Sequence, residues 1–375
     1  MDTITVVEVK DITLYPPVQN LIKILLDLGY SINLIGTNLD NISEDISSVQ
    51  NCNLVELGKF QSKFFIARWI HKIFLFRTVR KKVKYYMRDS EYLWTTSDSS
   101  IIAIKKLALN YKNIFQLMEL TEYGVMLSGK IKIRFDKIAQ KSWKTVVPEI
   151  NRAYIQKAWW NLSKPSYVLP NKPYSLDYGK IDAELEVAIN IMKNENRKII
   201  LYLGGLHSDR NFETYAKAIS KMDGYVLYIV GKAFSGDPSA LINKLTNDYG
   251  AVYLGFFKPP KHLALVNNAH IGLLPYMTTK TVSTSVLNAL YCAPNKIWEY
   301  AGFGVPMVGS DVLGLKLPFD QWNIGRCCDL NDEDLIIKAI EEVDKNHDEM
   351  SKNCYKFYDS VDLEKIVSEI LEDEN

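Results

Sequence analysis

Cysteine is scarce and scattered. The chain has five (Cys52, Cys292, Cys327, Cys328 and Cys354), with no C-x-x-C pair among them. An odd, dispersed set argues against a disulfide framework and against a cysteine-rich zinc site, and a reducing cytosol suits it best. No apolar run reaches the roughly 18 residues that would suggest a membrane-spanning helix. The first residues, Met1 to Val7, lack the basic start and long apolar stretch of a signal peptide. Charge of one sign is missing too: 45 Lys and Arg against 44 Asp and Glu leave a net +1, so no polyelectrolyte signal for nucleic acid arises. After the first strand candidate the chain reads Lys10-Asp11-Ile12-Thr13-Leu14-Tyr15-Pro16-Pro17. Without a G-x-G-x-x-G turn there, a dinucleotide dehydrogenase is not expected. No tandem repeat of fixed period occurs.

What is present is a regular alternation. With 375 residues, 47% of them hydrophobic, the chain is long and apolar enough for two domains. Apolar runs alternate with helical patterns, as in parallel α/β units. Strands are expected at 3–9, 31–35, 92–95, 114–117 and 145–147, with an amphipathic helix over 17–28 that Gly29 ends. The pattern breaks at 167–173, where Pro170 and Pro173 stiffen the chain, and the hinge is expected there. A second series follows, with strands at 198–203, 225–230, 252–254, 271–275 and 305–308 and helices at 211–221, 262–269, 334–344 and 361–371. The expected division is a Rossmann-like domain over 1–168, a second over 174–355, and a C-terminal helical segment, 356–375, packing back on the first. In such sheets ligands bind beyond the carboxyl ends of the strands, so the active site is expected in a cleft between the halves.

The stretch 286–311 is the most informative. A polar turn, Ala293-Pro294-Asn295-Lys296, feeds a short helix carrying Glu299, which ends at Gly302 or Gly304 before an apolar strand. Proline suits a helix's first turn and glycine its end. A helix N-terminus attracts anions, and Lys296 adds a full charge there. Cation and dipole suit a diphosphate; a carboxylate one turn later suits ribose hydroxyls.

This stretch resembles the donor-site motif of GT-B glycosyltransferases, especially the GT4-like enzymes of bacterial surface-polysaccharide synthesis. The resemblance spans roughly 165–312. It implies an α/β fold of two Rossmann-like domains facing across a cleft, and a nucleotide-sugar donor held by the second. Glu299 would bind the ribose, with Asn295 and Lys296 at the helix start. Leu201 to Asn211 is similar to the family's first strand and phosphate loop, which gives Gly204, Gly205 and Arg210 donor roles and leaves His207 as a local contact. Gly205 stands where many members carry a second arginine, so Arg210 and Lys296 form the main clamp. Val230-Gly231-Lys232 and Leu254-Gly255-Phe256-Phe257 match two further strand-end turns, where Phe256 or Phe257 would stack on a uracil-like base or pack in the core. Leu273-Leu274-Pro275-Tyr276 resembles the strand before the sugar site. The hydroxyl-rich loop 277–285 and Asn288 are further candidates for sugar or phosphate contact. One departure stands out: many retaining members carry a glutamate eight positions before the ribose glutamate, and Tyr291 occupies that place here.

Asp332-Glu333-Asp334 matches a metal-binding Asp-x-Asp, but acids at a helix start are expected for capping; neither an essential metal nor another cofactor is expected. Candidate catalytic carboxylates are Glu119 and Glu122, after a strand, and Asp11, after the first strand; each could act as a general base toward an acceptor hydroxyl or serve locally. Glu149, Asn151 and Arg152 resemble a cleft-lining segment. Between Glu56 and Asp89 there is no acid, while ten Lys and Arg alternate with aromatic and aliphatic residues. Residues 59–88 are therefore expected to dock on an anionic membrane, placing the protein peripherally on the cytoplasmic face; a solvated basic helix face is the alternative. The expected reaction is transfer of a hexose-type sugar, most simply from UDP, to a glycan or polyprenyl-diphosphate-linked acceptor, without a nucleic-acid partner. A nucleotide-sugar epimerase on the same scaffold and a non-catalytic nucleotide-sugar-binding subunit are the rivals.

Overall fold

The computed structural model describes residues 2–58, 65–126, 130–206, 210–232, 238–278 and 285–372. Residues 59–64 of the basic segment, His207, and 279–284 of the hydroxyl-rich loop lie outside the described residues. The chain forms two compact units. The first comprises Met1–Tyr174, Lys280–Asn288 and Asp362–Asn375; the second comprises Ser175–Thr279 and Ala289–Val361.

In the first unit the strands are β1 (Thr3–Asp11), β2 (Ser31–Thr37), β3 (Cys52–Glu56), β4 (Tyr92–Thr95), β5 (Lys112–Gln116), β6 (Tyr123–Met126), β7 (Ile131–Arg134), β8 (Lys144–Val147) and β9 (Tyr167–Val168). A parallel sheet runs in the order β3-β2-β1-β4-β5-β8-β9, and β6 and β7 form a separate antiparallel hairpin. Tyr167 and Val168, in the stretch expected to be hinge, make the edge strand; the units divide after Tyr174. The Tyr174 hydroxyl lies 2.6 Å from Asp27 Oδ2 and 2.6 Å from Glu364 Oε1. It thereby ties the Pro16–Asp27 helix to the last helix, Leu363–Leu371.

The basic segment forms the helix Phe65–Tyr86. Phe76, Val79 and Val83 recur at helical spacing and enter the core of this unit. Arg80 Nε donates to the Ala103 carbonyl at 2.7 Å, satisfying a helix C-terminus. Ile70 and Phe74 stay exposed, at 44% and 59%.

In the second unit β10 (Lys198–Leu203), β11 (Tyr225–Val230), β12 (Val252–Tyr253), β13 (Ile271–Leu274), β14 (Met307–Ser310) and β15 (Gly325–Cys328) form a parallel sheet ordered β12-β11-β10-β13-β14-β15. The unbroken apolar runs of β10 and β11 follow from burial on both faces. Alternate side chains serve opposite cores: Ile199, Leu201 and Leu203 pack with Ile297 and Tyr300, whereas Ile200 and Tyr202 pack with Phe212 and Tyr215. Each such side chain contributes roughly 1.5–3 kcal/mol on burial. The strand order reverses between β10 and β13, the position at which such sheets open a crevice beyond the carboxyl ends of their strands.

Two local expectations change. The helix expected over 262–269 is only Leu263–Val266, preceded by His262 as its cap residue. The strand expected over 305–308 is Met307–Ser310, because Val305 and Pro306 form the approach to it.

Candidate functional site

The helix Asn295–Gly302 delivers the motif to that crevice. Pro294 precedes it in extended backbone (φ −74°, ψ 142°) and is its cap residue, one position earlier than a first-turn proline. Proline offers no side-chain acceptor, so the first-turn N–H groups of this helix receive no side-chain cap. Tyr300 anchors the helix under the sheet. Its hydroxyl donates to the Leu201 carbonyl at 2.8 Å and accepts from Leu203 N–H at 3.1 Å. A Cβ on Gly272 would sit 2.5 Å from the Tyr300 ring, so only glycine lets the helix lie this close to β13. This anchorage brings Lys296 to the end of β10 at Gly204 and Glu299 to His262.

Lys296 crosses directly over Gly204, where a Cβ would stand 2.5 Å from Cε and 2.8 Å from Nζ. Gly204 itself has φ +130°, a region side chains rarely adopt. Gly231 packs from the next strand end: a Cβ there would meet the Gly204 carbonyl oxygen at 1.7 Å. The two glycines, both read as donor-binding in the sequence, thus make the floor on which the lysine lies. Gly205 contributes its carbonyl, which accepts from the Tyr202 hydroxyl at 2.7 Å.

Arg210 joins the same group. Its Nη1 donates to the Tyr202 hydroxyl oxygen at 3.0 Å, and its guanidinium carbon lies 5.3 Å from the centre of the Tyr276 ring. Lys296 Nζ lies 6.0 Å from that same ring. Tyr276 is held by its own N–H, which donates to Ser310 Oγ at 2.8 Å across β13 and β14. Two cations therefore share one aromatic platform. Burial, and then the Arg210 charge, push the Lys296 ammonium down to about 8, against a smaller opposing pull from Glu299. Positive charge is concentrated here at a cost, and an anion relieves it.

Glu299 lies one helical turn beyond Lys296 and is 5% exposed. Burial alone would raise its carboxyl, but His262 and then Lys296 outweigh that and hold it below the usual carboxylate range. His262 Nε2 is 3.3 Å from Glu299 Oε1. Of the two aromatic candidates for a base, Phe257 belongs to the core and Phe256 is exposed at 37%. Asn295 is the first residue of the helix.

Asn288 is engaged elsewhere, in the first unit. Its Oδ1 accepts from Leu120 N–H at 2.7 Å, and its Nδ2 donates to Glu119 Oε2 at 2.7 Å. Arg152, 3% exposed, donates to the Asn288 carbonyl at 3.0 Å and to the Met118 carbonyl at 2.7 Å. Glu149 caps the helix Ile150–Trp160 by accepting from Asn151 and Arg152 N–H. Glu119 is thus an exposed carboxylate held from one side, just beyond the carboxyl end of β5. Glu122 lies next along the loop, its carbonyl accepting from Trp160 Nε1 at 3.1 Å. The Asp11 carboxylate is consumed locally: Oδ1 accepts from Thr13 N–H and its hydroxyl, and both oxygens accept from Asn38 Nδ2, at 2.8 and 2.9 Å. Asp332 accepts from Asp334 and Leu335 N–H as the cap of helix Glu333–Lys345. Among the described residues, no group of three or more His, Cys, Asp or Glu is placed to hold a metal ion, and no helix is long and apolar enough to cross a membrane.

Three members of the second-unit cluster were not singled out in the sequence. Tyr202 and Tyr276 look like ordinary strand aromatics, and His262 like part of a helix. Tyr202 arrives on β10, Tyr276 is fixed by its bond to Ser310, and His262 faces Glu299 from the cap of Leu263–Val266.

No protein-family model matches the chain, and a search of curated proteins finds no match. Solved structures do resemble it. Sucrose-phosphate synthase from Thermosynechococcus elongatus is similar with a TM-score of 0.70 and 16% identity, covering 98% of this chain and 97% of that one. HepE from Anabaena, in complex with UDP, gives 0.67 and 10%, covering 99% and 98%. A putative UDP-N-acetylglucosamine 2-epimerase from Listeria monocytogenes gives 0.59 and 9%, covering 98% and 93%. At these identities the likeness concerns the fold, which is GT-B: two α/β units with parallel sheets.

Proposed function

We propose that the protein is a GT4-like glycosyltransferase that moves a hexose-type sugar from a nucleoside diphosphate, UDP in the simplest case, to a glycan or polyprenyl-diphosphate-linked acceptor in surface-polysaccharide assembly. The observation that carries this is the second-unit cluster: Lys296 and Arg210 on one tyrosine platform over a glycine floor, with a buried carboxylate one turn away. The similar HepE structure holding UDP supports the same reading.

In this reading the two cations and the uncapped helix start bind the diphosphate and stabilise the negative charge that grows on it as the sugar departs. Glu299 accepts from the ribose hydroxyls. Glu119, exposed and oriented by Asn288, takes the acceptor hydroxyl's proton. Asp11, already bonded to Thr13 and Asn38, is the weaker candidate. Two fixed cations perform the charge neutralisation that a divalent metal performs elsewhere, so activity should survive a chelator. Exposed Ile70 and Phe74 on the basic helix support peripheral attachment to an anionic membrane; co-sedimentation with liposomes that ignores both anionic lipid and salt would argue against it.

A thermal-stability screen across nucleotides and nucleotide sugars tests the donor site, since a ligand at a hundred times its Kd adds about 2.7 kcal/mol. A UDP-sugar should give the largest shift; none with any nucleotide sugar would end the proposal. The Listeria epimerase shares the fold, so products should also be examined without acceptor. A sugar epimer formed there would replace transfer by epimerisation.

A further inference from the structure

His262 is a member of the second-unit cluster to which the proposed reaction gives no task. Its Nε2 faces Glu299 Oε1 at 3.3 Å, and its Nδ1 is buried with no hydrogen-bond partner. Glu299 is ionised, held so by His262 and Lys296 against its burial, and an ionised carboxylate only accepts. The proton between the two groups therefore belongs to Nε2, and the buried Nδ1 is left without a partner. An unsatisfied buried polar atom destabilises the fold. The four residues that follow, Leu263, Ala264, Leu265 and Val266, are all buried and apolar. A leucine at 262 would extend that core without the cost. Packing alone does not account for an imidazole here.

We propose that His262 is a positioning residue for the nucleoside half of the donor: its Nε2–H fixes one oxygen of Glu299 so that the other faces the ribose. The site then divides in two. Lys296 and Arg210 read the diphosphate, whatever it carries, and the His262–Glu299 pair reads the nucleoside. This rests on the reading of Glu299 as the ribose partner.

The test is calorimetric titration of the full chain with UDP and, separately, with inorganic pyrophosphate. In H262L the Kd for UDP should rise by about tenfold or more, the worth of one hydrogen bond to a charged group, while that for pyrophosphate stays within about twofold of wild type. H262Q, whose amide nitrogen can take the place of Nε2, should restore UDP binding to near the wild-type value. A purely structural role would instead weaken both ligands together in H262L and would gain nothing from glutamine. If the leucine variant does not fold, H262N, too short to reach Glu299, takes its place. UDP binding by folded H262L as tight as wild type, or equal losses in the leucine and glutamine variants, would overturn the inference while leaving the diphosphate pocket standing. A wild-type protein that binds neither ligand would remove the pocket and the inference together.

Discussion

Replacing Lys296 by methionine should stabilise the ligand-free protein and make it insensitive to nucleotide. The ammonium of Lys296 titrates at about 8 instead of 10.5. At about 1.36 kcal/mol per pH unit, its charge at neutral pH costs the native state at most about 3 kcal/mol. The sign follows from which state holds the proton more tightly. Below about pH 8 both states are protonated and the cost is fully present; from there to about 10.5 the native state releases the proton, the unfolded chain keeps it, and the cost fades. Methionine keeps most of the stem's volume without the charge. A domain of this size shifts by roughly 2–4 °C per kcal/mol, so K296M should melt several degrees above wild type near pH 7, and the gap should close near pH 10. Saturating UDP should reverse the order, raising wild type but not the variant. Differential scanning at both pH values, with and without UDP, reads all of this. A K296M protein that melts lower than wild type and still responds to UDP would refute the reasoning.

The two glycines separate fold from function. In G231A the new methyl meets the Gly204 carbonyl at 1.7 Å, backbone against backbone, so the second unit should fail to fold cooperatively; in G204A the obstacle is the mobile end of Lys296, so the protein should fold with a loss of about 1–3 kcal/mol from backbone strain and lose its response to UDP. Circular dichroism melting with and without UDP distinguishes them. E119Q should lower kcat about a hundredfold or more with the donor KM unchanged, as expected for loss of a general base; a change confined to donor KM in steady-state kinetics would remove Glu119 from that role.

The legible parts of the site were those written locally. Lys296, Glu299 and Gly302 lie within one short helix behind its cap residue Pro294, and helix-end chemistry alone points to a turn that suits an anion and carries a carboxylate. The paired glycines were visible as strand-end turns, although their mutual contact was not. Asn288 shows where local reading stops. Its neighbours in sequence suggested the donor site, but its amide bonds Leu120 and Glu119, 168 and 169 residues away. His262 was hidden because the chain from 262 on reads as one helix, whereas the helix is only four residues long and the histidine faces Glu299 from its cap. The helix Phe65–Tyr86 shows the reverse limit. Its basic composition was plain, yet the same stretch supplies Phe76, Val79 and Val83 to the core, and composition alone does not separate the buried stripe from the exposed one.

The most direct test of the whole account is a crystal structure of the protein with UDP. The phosphates should lie within about 3 Å of Lys296 Nζ and the Arg210 guanidinium, at the start of the Asn295–Gly302 helix, with a ribose hydroxyl on Glu299. UDP bound away from Lys296 and Arg210, or with its ribose out of reach of Glu299, would contradict it.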